Sequence, residues 1–137
     1  MRASRTKNTD FYEFENVNPK GRLRGDCTIR AIAKACGQSW EQTIRELTEI
    51  GIKKGYVCND QSLFPSYLSS KGFVAHNEPR ASDNTKISVK AFISKGLAGG
   101  KAIVALVGTH HVTCLMEGKV RDIWDCSGQT MHRWWSR

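Results

Sequence analysis

"KAIVALVGTHHVTCLMEGKVRDIWD", residues 101–125, has the pattern of β-strands rather than the spacing of helices. Its first part, residues 101–107, is a continuous apolar run of strand length, which is typical of a central strand buried on both faces. The part that follows alternates in polarity on either side of Glu117-Gly118, which predicts a β-hairpin that turns there. We therefore expect an antiparallel sheet in the C-terminal half of the chain.

The chain before this stretch has helical spacing instead. The first predicted helix covers residues 27–36, with a cap at Asp26 and a stop at Gly37. The second runs from a cap at Ser39 to Gly51, and the third from a cap at Asp60 to Gly72. A fourth is predicted from Ser88 to Lys95. A strand is expected at "GFVAH", residues 72–76, and the segment with Trp134 and Trp135 is expected to dock on the sheet. Helices followed by a sheet form the α+β pattern, so we predict one layered domain over residues 1–137, with a loose polar segment at 1–10.

The composition is typical of a soluble globular protein. The 137 residues are 39% hydrophobic and 25% charged, which suits one domain with a core. No apolar run approaches the roughly 20 residues of a membrane-spanning helix. The start "MRASRTKNTD" also lacks the apolar centre of a secretory signal, so a cytoplasmic location without membrane contact is expected. The five cysteines are an odd number without CxxC pairs, which predicts free thiols and no metal site.

The formal charge of +8 predicts attraction to acidic partners. Lys20, Arg22, Arg24 and Arg30 cluster around Cys27, while the other cations are scattered along the chain. The cluster could serve an acidic protein or a nucleic-acid partner. No pattern of a known nucleic-acid-binding module accompanies these charges, so a solvated basic surface is the simpler interpretation.

Cys27 is predicted to stand in the first turn of a helix. A thiolate there faces unpaired N–H groups and the positive end of the helix dipole, which favours the ionised form. The pKa of a free thiol is about 8.5, so such a position makes the cysteine a better nucleophile near neutral pH. A single cysteine is more often a buried structural residue than a catalytic one. A histidine near the thiol would favour the catalytic role.

The sequence places possible partners of this thiol on the hairpin: His110 or His111 at its start, and Asp122 or Asp125 on the returning strand. A two-residue turn at Glu117-Gly118 puts Trp124 opposite His111, whereas a three-residue loop puts Ile123 there. Either aspartate is then within about two positions of facing the histidine, a distance over which cross-strand neighbours interact. The register is left open by the sequence.

The segment "GDC" at the start of a buried helix, followed by a strand-initial histidine and a hairpin ending in "DIWDCS", resembles the papain-like cysteine peptidases. The chain is most similar to their compact bacterial and phage C39-like group, over about residues 16–127. The resemblance implies an N-terminal helical half, with the catalytic cysteine at a helix start, packed on a C-terminal antiparallel sheet. It further implies that Cys27 is the nucleophile, His111 the general base and acid, and Asp125 the residue that orients the ring, with His110 and Asp122 as alternatives.

One element of the family pattern is missing. Papain-like enzymes usually carry a glutamine about six residues before the cysteine, where it helps to bind the oxyanion, and this chain has Gly21 there. The backbone N–H of Cys27 is one remaining donor, and the amide of Asn18 or Asn16 is expected to supply another. Loss of one oxyanion donor costs about a hundredfold to a thousandfold in rate, so the substitute matters.

The resemblance implies a thiol protease that hydrolyses a peptide or isopeptide bond through a Cys-His-Asp triad and an acyl-enzyme. The substrate would be a protein or peptide, and no metal or organic cofactor is required. Two alternatives follow from the same residues. A catalytically weak papain-like scaffold could bind a host protein or nucleic acid through its basic surface, or the thioester could serve an acyltransferase.

Overall fold

The sheet of this protein takes its strands from both ends of the chain. The computed structural model describes residues 7–137, in which four helices and six strands form an α+β fold. In chain order they are β1 (Tyr12–Phe14), α1 (Cys27–Cys36), α2 (Trp40–Lys54), α3 (Phe64–Ser70), β2 (Val74–His76), α4 (Val89–Ser94), β3 (Ile103–Val107), β4 (His111–Met116), β5 (Lys119–Asp122) and β6 (Met131–Ser136). The α+β class predicted from the sequence is confirmed.

The segment expected to be loose, residues 1–10, is only partly described, since residues 1–6 lie outside the described part. The described remainder contacts β1. The side chain of Asn8 accepts a hydrogen bond from the backbone of Phe14 at 2.8 Å, and the N–H of Thr9 donates to the carbonyl of Tyr12 at 2.8 Å.

The sheet is mixed, with the order β1-β5-β4-β3-β6-β2. Strand β1 runs parallel to β5, and the other neighbouring pairs are antiparallel. The expectation of a purely antiparallel, C-terminal sheet is therefore wrong, because β1 precedes all the helices and β2 comes from the middle of the chain. Tyr12 anchors the parallel edge: its ring is fully buried, and its hydroxyl donates to the carbonyl of Asp122 at 3.0 Å.

The core lies on both faces of the sheet. Val104 of β3 packs into the apolar cluster formed with α1, α2 and α3. Its neighbours Ile103 and Ala105 point the other way, into the cluster that contains Phe92 of α4. The prediction of a central strand buried on both faces is confirmed, since successive side chains of a strand alternate between its faces.

Helix α1 has the limits predicted from the sequence. Gly37 ends it with a φ of 68°, a left-handed conformation that glycine adopts without steric cost. Asp26 occupies the N-cap position, but its side chain forms no capping hydrogen bond, so that part of the prediction is wrong. The carboxylate accepts hydrogen bonds from Asn18 and Trp40 instead, both at 2.9 Å.

Helix α2 begins as predicted and ends later. The hydroxyl of Ser39 accepts from the backbone N–H of Gln42 at 3.0 Å, which caps the helix. The helix then continues through Gly51, the predicted stop, to Lys54, and Gly55 ends it with a φ of 81°. Glycine at position 51 lets the backbone of Tyr56 pass close to the helix, because a Cβ there would lie 2.3 Å from the carbonyl oxygen of Tyr56.

The two shorter helices also differ in detail from the prediction. Asp60 does not cap α3; its side chain accepts from the N–H of Ser62 at 2.8 Å in the turn before the helix. Ser88 caps α4 as expected, by accepting from the N–H of Ala91 at 3.0 Å. None of the helices in the described part of the chain combines the length and the apolar character needed to cross a membrane.

The terminal segment docks on the sheet as a full strand. β6 pairs with β3 on one side and with β2 on the other. Trp135 is buried and meets Phe64 edge to face, with ring centroids 5.1 Å apart. The expectation that Trp134 and Trp135 belong to a docked segment is confirmed, and the predicted strand at 72–76 is its partner β2.

Candidate active site

Cys27 is the first residue of α1 and its thiol is half-buried. Gly25 has a φ of 87°, and this left-handed conformation lets the preceding loop turn sharply into the helix. None of the hydrogen bonds in the described part of the chain uses the backbone N–H of Cys27. The sulfur therefore stands at a helix start whose leading N–H group remains available to a ligand.

His111 is the first residue of β4, opposite Val107 of β3. Because α1 packs against β4, the start of the helix and the start of the strand meet. Cys27 and His111 line the same cleft, and the His111 side chain and the backbone of Val112 lie close enough to the thiol to lower its pKa. The two residues that the sequence analysis paired are thus brought together.

Asp122 contacts the other side of this histidine. Its Oδ2 lies 2.6 Å from Nε2 of His111 and accepts a hydrogen bond from the hydroxyl of Thr113, also at 2.6 Å. Its Oδ1 accepts from the backbone N–H of Ile123 at 2.7 Å, and the residue is 4% exposed. Since Nε2 faces Asp122, Nδ1 is the ring nitrogen left to exchange a proton with another group.

The structure does not place Asp125, the preferred candidate for orienting the ring, in this contact. Its Oδ1 accepts from the backbone N–H and the hydroxyl of Ser127, at 3.1 and 2.6 Å, within a local turn. His110, the alternative histidine, is exposed, and its carbonyl accepts a hydrogen bond from the side chain of Gln61 at 2.9 Å. The interacting set is therefore Cys27, His111 and Asp122.

The turn of the hairpin explains why Asp122 is selected. Met116 pairs with Lys119, so the connection is a two-residue turn with Glu117 and Gly118 at φ values of 55° and 73°. Continuing this register puts Asp122 opposite Thr113 and Trp124 opposite His111. Side chains two positions apart on a strand share a face, so Asp122 is on the side of His111, whereas Asp125 has the opposite parity.

The environment favours an ion pair between sulfur and imidazole. Burial alone would lower the pKa of His111, but hydrogen bonds to Asp122, Cys126 and Cys27 and the charge of Asp122 raise this pKa well above its ordinary range. For Cys27, burial alone would raise the pKa of the thiol. Hydrogen bonding to His111 and Val112 and the charges of His111 and Arg30 act in the opposite direction and outweigh burial, so the pKa is lowered. These contacts thus favour a protonated histidine and shift the cysteine toward its ionised form.

Arg30 connects the helix to the acidic residue of the site. It is 7% exposed, forms a salt bridge with Asp26 one turn earlier in the chain, and places Nη2 3.5 Å from Oδ1 of Asp122. The expectation that Arg30 belongs to a cluster of surface cations is wrong, because its side chain is buried between two carboxylates. Its i,i+4 spacing from Asp26 is the only feature of the sequence that could have indicated this.

The two asparagines expected to bind an oxyanion are engaged elsewhere. The side-chain NH₂ of Asn18 donates to Asp26 at 2.9 Å, and that of Asn16 donates to the carbonyl of Arg22 at 3.0 Å. Their side-chain oxygens accept from the backbone of the same loop, Asn18 from Lys20 and Asn16 from Asn18. Both amides therefore hold the loop before α1, and neither lines the cleft that contains Cys27.

A second thiol lies against the histidine. Cys126 is fully buried, and its sulfur lies within 4.8 Å of the His111 and Asp122 side chains. Burial raises the pKa of the Cys126 thiol, which keeps it protonated. These three side chains are a nitrogen, oxygen and sulfur set that Zn²⁺ accepts, although His111 and Asp122 already bind each other here.

Two side-chain amides from the loop before α3 hold the loops that carry the site. Asn59 donates to the carbonyl of Gly25 at 3.2 Å, just before the cysteine, and Gln61 donates to the carbonyl of His110 just before the histidine. Sequence reasoning missed both residues. Hydrogen bonds from side chains to distant backbone carbonyls leave no local pattern that could have indicated them.

The site opens into a cleft of about 440 Å³. Its lining is mostly apolar, and the residues are Leu23, Arg24, Gly25, Cys27, Arg30, His111, Ile123 and Trp124. The ring of Trp124 meets the His111 ring edge to face, with centroids 4.9 Å apart. The sulfur is thus reached from the cleft between the helix start and this tryptophan.

Comparison of the chain with protein-family models, with curated protein sequences and with solved structures gave no match in any of the three. The chemistry of the site is therefore inferred from its geometry.

Proposed function

We propose that this protein is a papain-like thiol hydrolase that cleaves a peptide or isopeptide bond. The observation that carries the proposal is the meeting of Cys27, at the start of a helix, and His111 in one cleft, with Asp122 bound to the far side of the His111 ring. A thiol at a helix start, a histidine on its side and a carboxylate behind the ring together make an activated nucleophile. The mostly apolar cleft over the sulfur gives an acyl group a place to bind.

The arrangement supports acyl transfer in two steps. In the first step the Cys27 thiolate attacks the carbonyl carbon and a C–S bond forms, while the backbone N–H of Cys27 stabilises the oxyanion. His111 then gives its Nδ1 proton to the leaving amine as the C–N bond breaks. In the second step His111 takes a proton from water as the water oxygen attacks the thioester. The C–S bond breaks, the carboxylic acid leaves, and the Cys27 thiolate is restored beside the protonated His111. Asp122 keeps the ring oriented throughout.

A binding scaffold with weak catalysis is the second candidate function. It is favoured by one observation, the engagement of both Asn16 and Asn18 in their own loop, which leaves the cleft without the expected amide donor. A single missing donor lowers the rate by about a hundredfold to a thousandfold. The basic surface would then bind a partner protein or nucleic acid without cleaving it.

Alkylation of the cysteines by iodoacetamide at pH 6, followed by mass spectrometry, tests the activated thiol. We expect Cys27 to be modified first, since Cys114 and Cys126 are fully buried and burial raises the pKa of both thiols. His111→Ala should abolish the preference for Cys27, while His110→Ala, the matched control at an exposed position, should retain it. Equal labelling of Cys27 and Cys58 in the unmodified protein would contradict the proposal.

The pH dependence of this alkylation has a predicted sign. Because the pKa of Cys27 is lowered, a larger fraction of this thiol stays ionised as the pH falls from 8 to 6, and its alkylation rate should fall less steeply than that of an ordinary thiol. The same thiol in the urea-unfolded chain has its ordinary pKa and should slow about tenfold for each pH unit. A native rate that falls in parallel with the unfolded one would mean that the thiol is not activated.

A peptide with a C-terminal electrophile, such as a vinyl sulfone, separates hydrolase from scaffold. The hydrolase should form a covalent adduct at Cys27 and lose the ability to form it in His111→Ala. A scaffold should form no adduct, and should instead bind an acidic protein or an oligonucleotide in a salt-dependent way.

A further inference from the structure

A second groove of about 420 Å³ adjoins the cleft of Cys27. The two depressions share Arg24 and Gly25, which form the low wall between them. A Cβ built on Gly25 would have no atom within 4 Å, so the space above this wall is open. An extended chain bound over Cys27 can therefore continue across Gly25 into the second groove.

The floor of the second groove is apolar. It is formed by Ile29, Trp40, Ile44 and Val57, and its lining has little polar surface. Val57 is 71% exposed, so its side chain is accessible to a ligand in the groove. The indole of Trp40 is held in place by its hydrogen bond to Asp26. These side chains give a preformed site for one large apolar side chain.

The rim of the same groove is cationic. Lys20, Arg22 and Arg24 line it and are exposed, and none of them forms a salt bridge within the described residues. Asp26, the carboxylate that lines this groove, is already paired with Arg30. Three unpaired cations around an apolar floor are complementary to an apolar group with acidic neighbours.

We propose that this second groove recognises a peptide segment in which one large apolar residue is flanked by acidic residues. The inference deepens the proposed function and rests on it, because the groove then selects the substrate that Cys27 cleaves. A nucleic acid fits the lining less well. Single-stranded nucleic acids stack on successive aromatic rings, and the groove offers one ring, Trp40, among aliphatic side chains.

Binding of fluorescein-labelled octapeptides to the full chain with Cys27→Ala tests the recognition by anisotropy. Three glutamine-rich peptides carry a central Phe flanked by Glu, Gln or Lys, and a fourth keeps Glu but replaces Phe by Ser. We expect the Phe peptide with Glu to bind about tenfold more tightly than the one with Lys, and more tightly than the Ser peptide. The charge preference should weaken from about 50 mM to about 500 mM salt, where exposed charges are screened.

Charge reversal locates the site. Lys20→Glu combined with Arg22→Glu should remove or invert the preference for acidic flanks. Lys53→Glu combined with Lys54→Glu is the matched control, because these lysines are exposed at the end of α2 and do not line the groove, and it should retain the preference. Circular dichroism checks that each variant folds. The peptide series on the protein with only Cys27→Ala tests the inference even if a charge-reversal variant does not fold.

Equal binding of all four peptides would overturn the inference, and so would tighter binding of an eight-nucleotide oligo-dT than of any peptide. Failure of the proposed function gives a different result. The Cys27 of the unmodified protein would then not be alkylated preferentially at pH 6, whatever the peptides show.

Discussion

The carboxylate of Asp122 has partners on every side: the ring of His111, the hydroxyl of Thr113, the backbone of Ile123 and the guanidinium of Arg30. The negative charge of Asp122 is therefore an important part of what keeps His111 protonated. Asp125, three residues later, accepts hydrogen bonds from Ser127 in a turn. The two aspartates make a natural pair of variants, since Asp122 contacts the His111 ring and Asp125 does not.

Asp122→Asn should slow the alkylation of Cys27 at pH 6 by about tenfold or more, because loss of the charge lowers the pKa of His111 and destabilises the ion pair with the thiolate. Asp125→Asn should leave the rate nearly unchanged. The rates are measured by mass spectrometry over pH 5 to 9, which separates a shift of the profile from a general loss of structure. Similar slowing by both variants would show that the contact with Asp122 is not what activates the thiol.

At the scale of elements, α2 shows how a glycine can be misinterpreted. Glycine often ends a helix, which is why Gly51 was expected to be the stop. In the structure Gly51 is a buried helical residue, and the helix ends only at Gly55. The carbonyl of Gly51 accepts from the N–H groups of both Gly55 and Tyr56, which brings the loop back against the helix.

Gly51→Ala should therefore destabilise the protein by about 1–3 kcal/mol, as overpacking does, although alanine normally favours a helix. The reason is the added Cβ, which would lie 2.3 Å from the carbonyl oxygen of Tyr56. Urea unfolding measures the change, and Gly128→Ala is the control, since no atom lies within 4 Å of a Cβ there. A gain in stability for Gly51→Ala would show that the loop moves away without cost.

The hairpin is the other element that decides the site. Its two-residue turn sets the register, and the register puts Asp122 rather than Asp125 on the side of His111. Both turn lengths are compatible with the local sequence, so the sequence analysis left both aspartates as candidates. The choice between them depends on which side chains of the two strands pack together, which a turn dipeptide alone does not encode.

At the scale of the whole molecule, Arg30 joins the helical layer to the sheet. It lies between Asp26 at the start of α1 and Asp122 at the end of β5. Its Nε has no hydrogen-bond partner within the described residues, so the two carboxylates are its main compensation for burial. The same contacts hold the cysteine-bearing helix next to the histidine-bearing strand.

Arg30→Met should lower the free energy of unfolding by about 3–5 kcal/mol, because two buried carboxylates lose their counter-charge. Arg45→Met is the matched control. Arg45 also pairs with an acid four residues away, Glu41, but this pair is largely exposed and little change is expected. Urea unfolding compares the two, and equal stabilities of both variants would contradict the bridging role of Arg30.

Much of the architecture could be predicted because it depends on short-range patterns. The apolar spacing of residues 27–36, the continuous run at 101–107 and the Glu117-Gly118 turn each describe their element within a few positions. The parallel pairing of β1 could not be predicted. Three residues, Tyr12 to Phe14, carry no mark of which strand they will pair with, and a parallel neighbour can come from anywhere in the chain.

The sequence by itself determined that a thiol starts a helix, that a histidine starts a strand of a hairpin, and that the chain has an α+β order of elements. Only the tertiary structure decided that Asp122 meets the histidine, that Asn16 and Asn18 bind their own loop, and that Arg30 is buried. The physical reason is the range of the interactions. Periodicity, capping and turn chemistry act between residues close in the chain, whereas the partner of a side chain depends on strand register and on how distant elements pack.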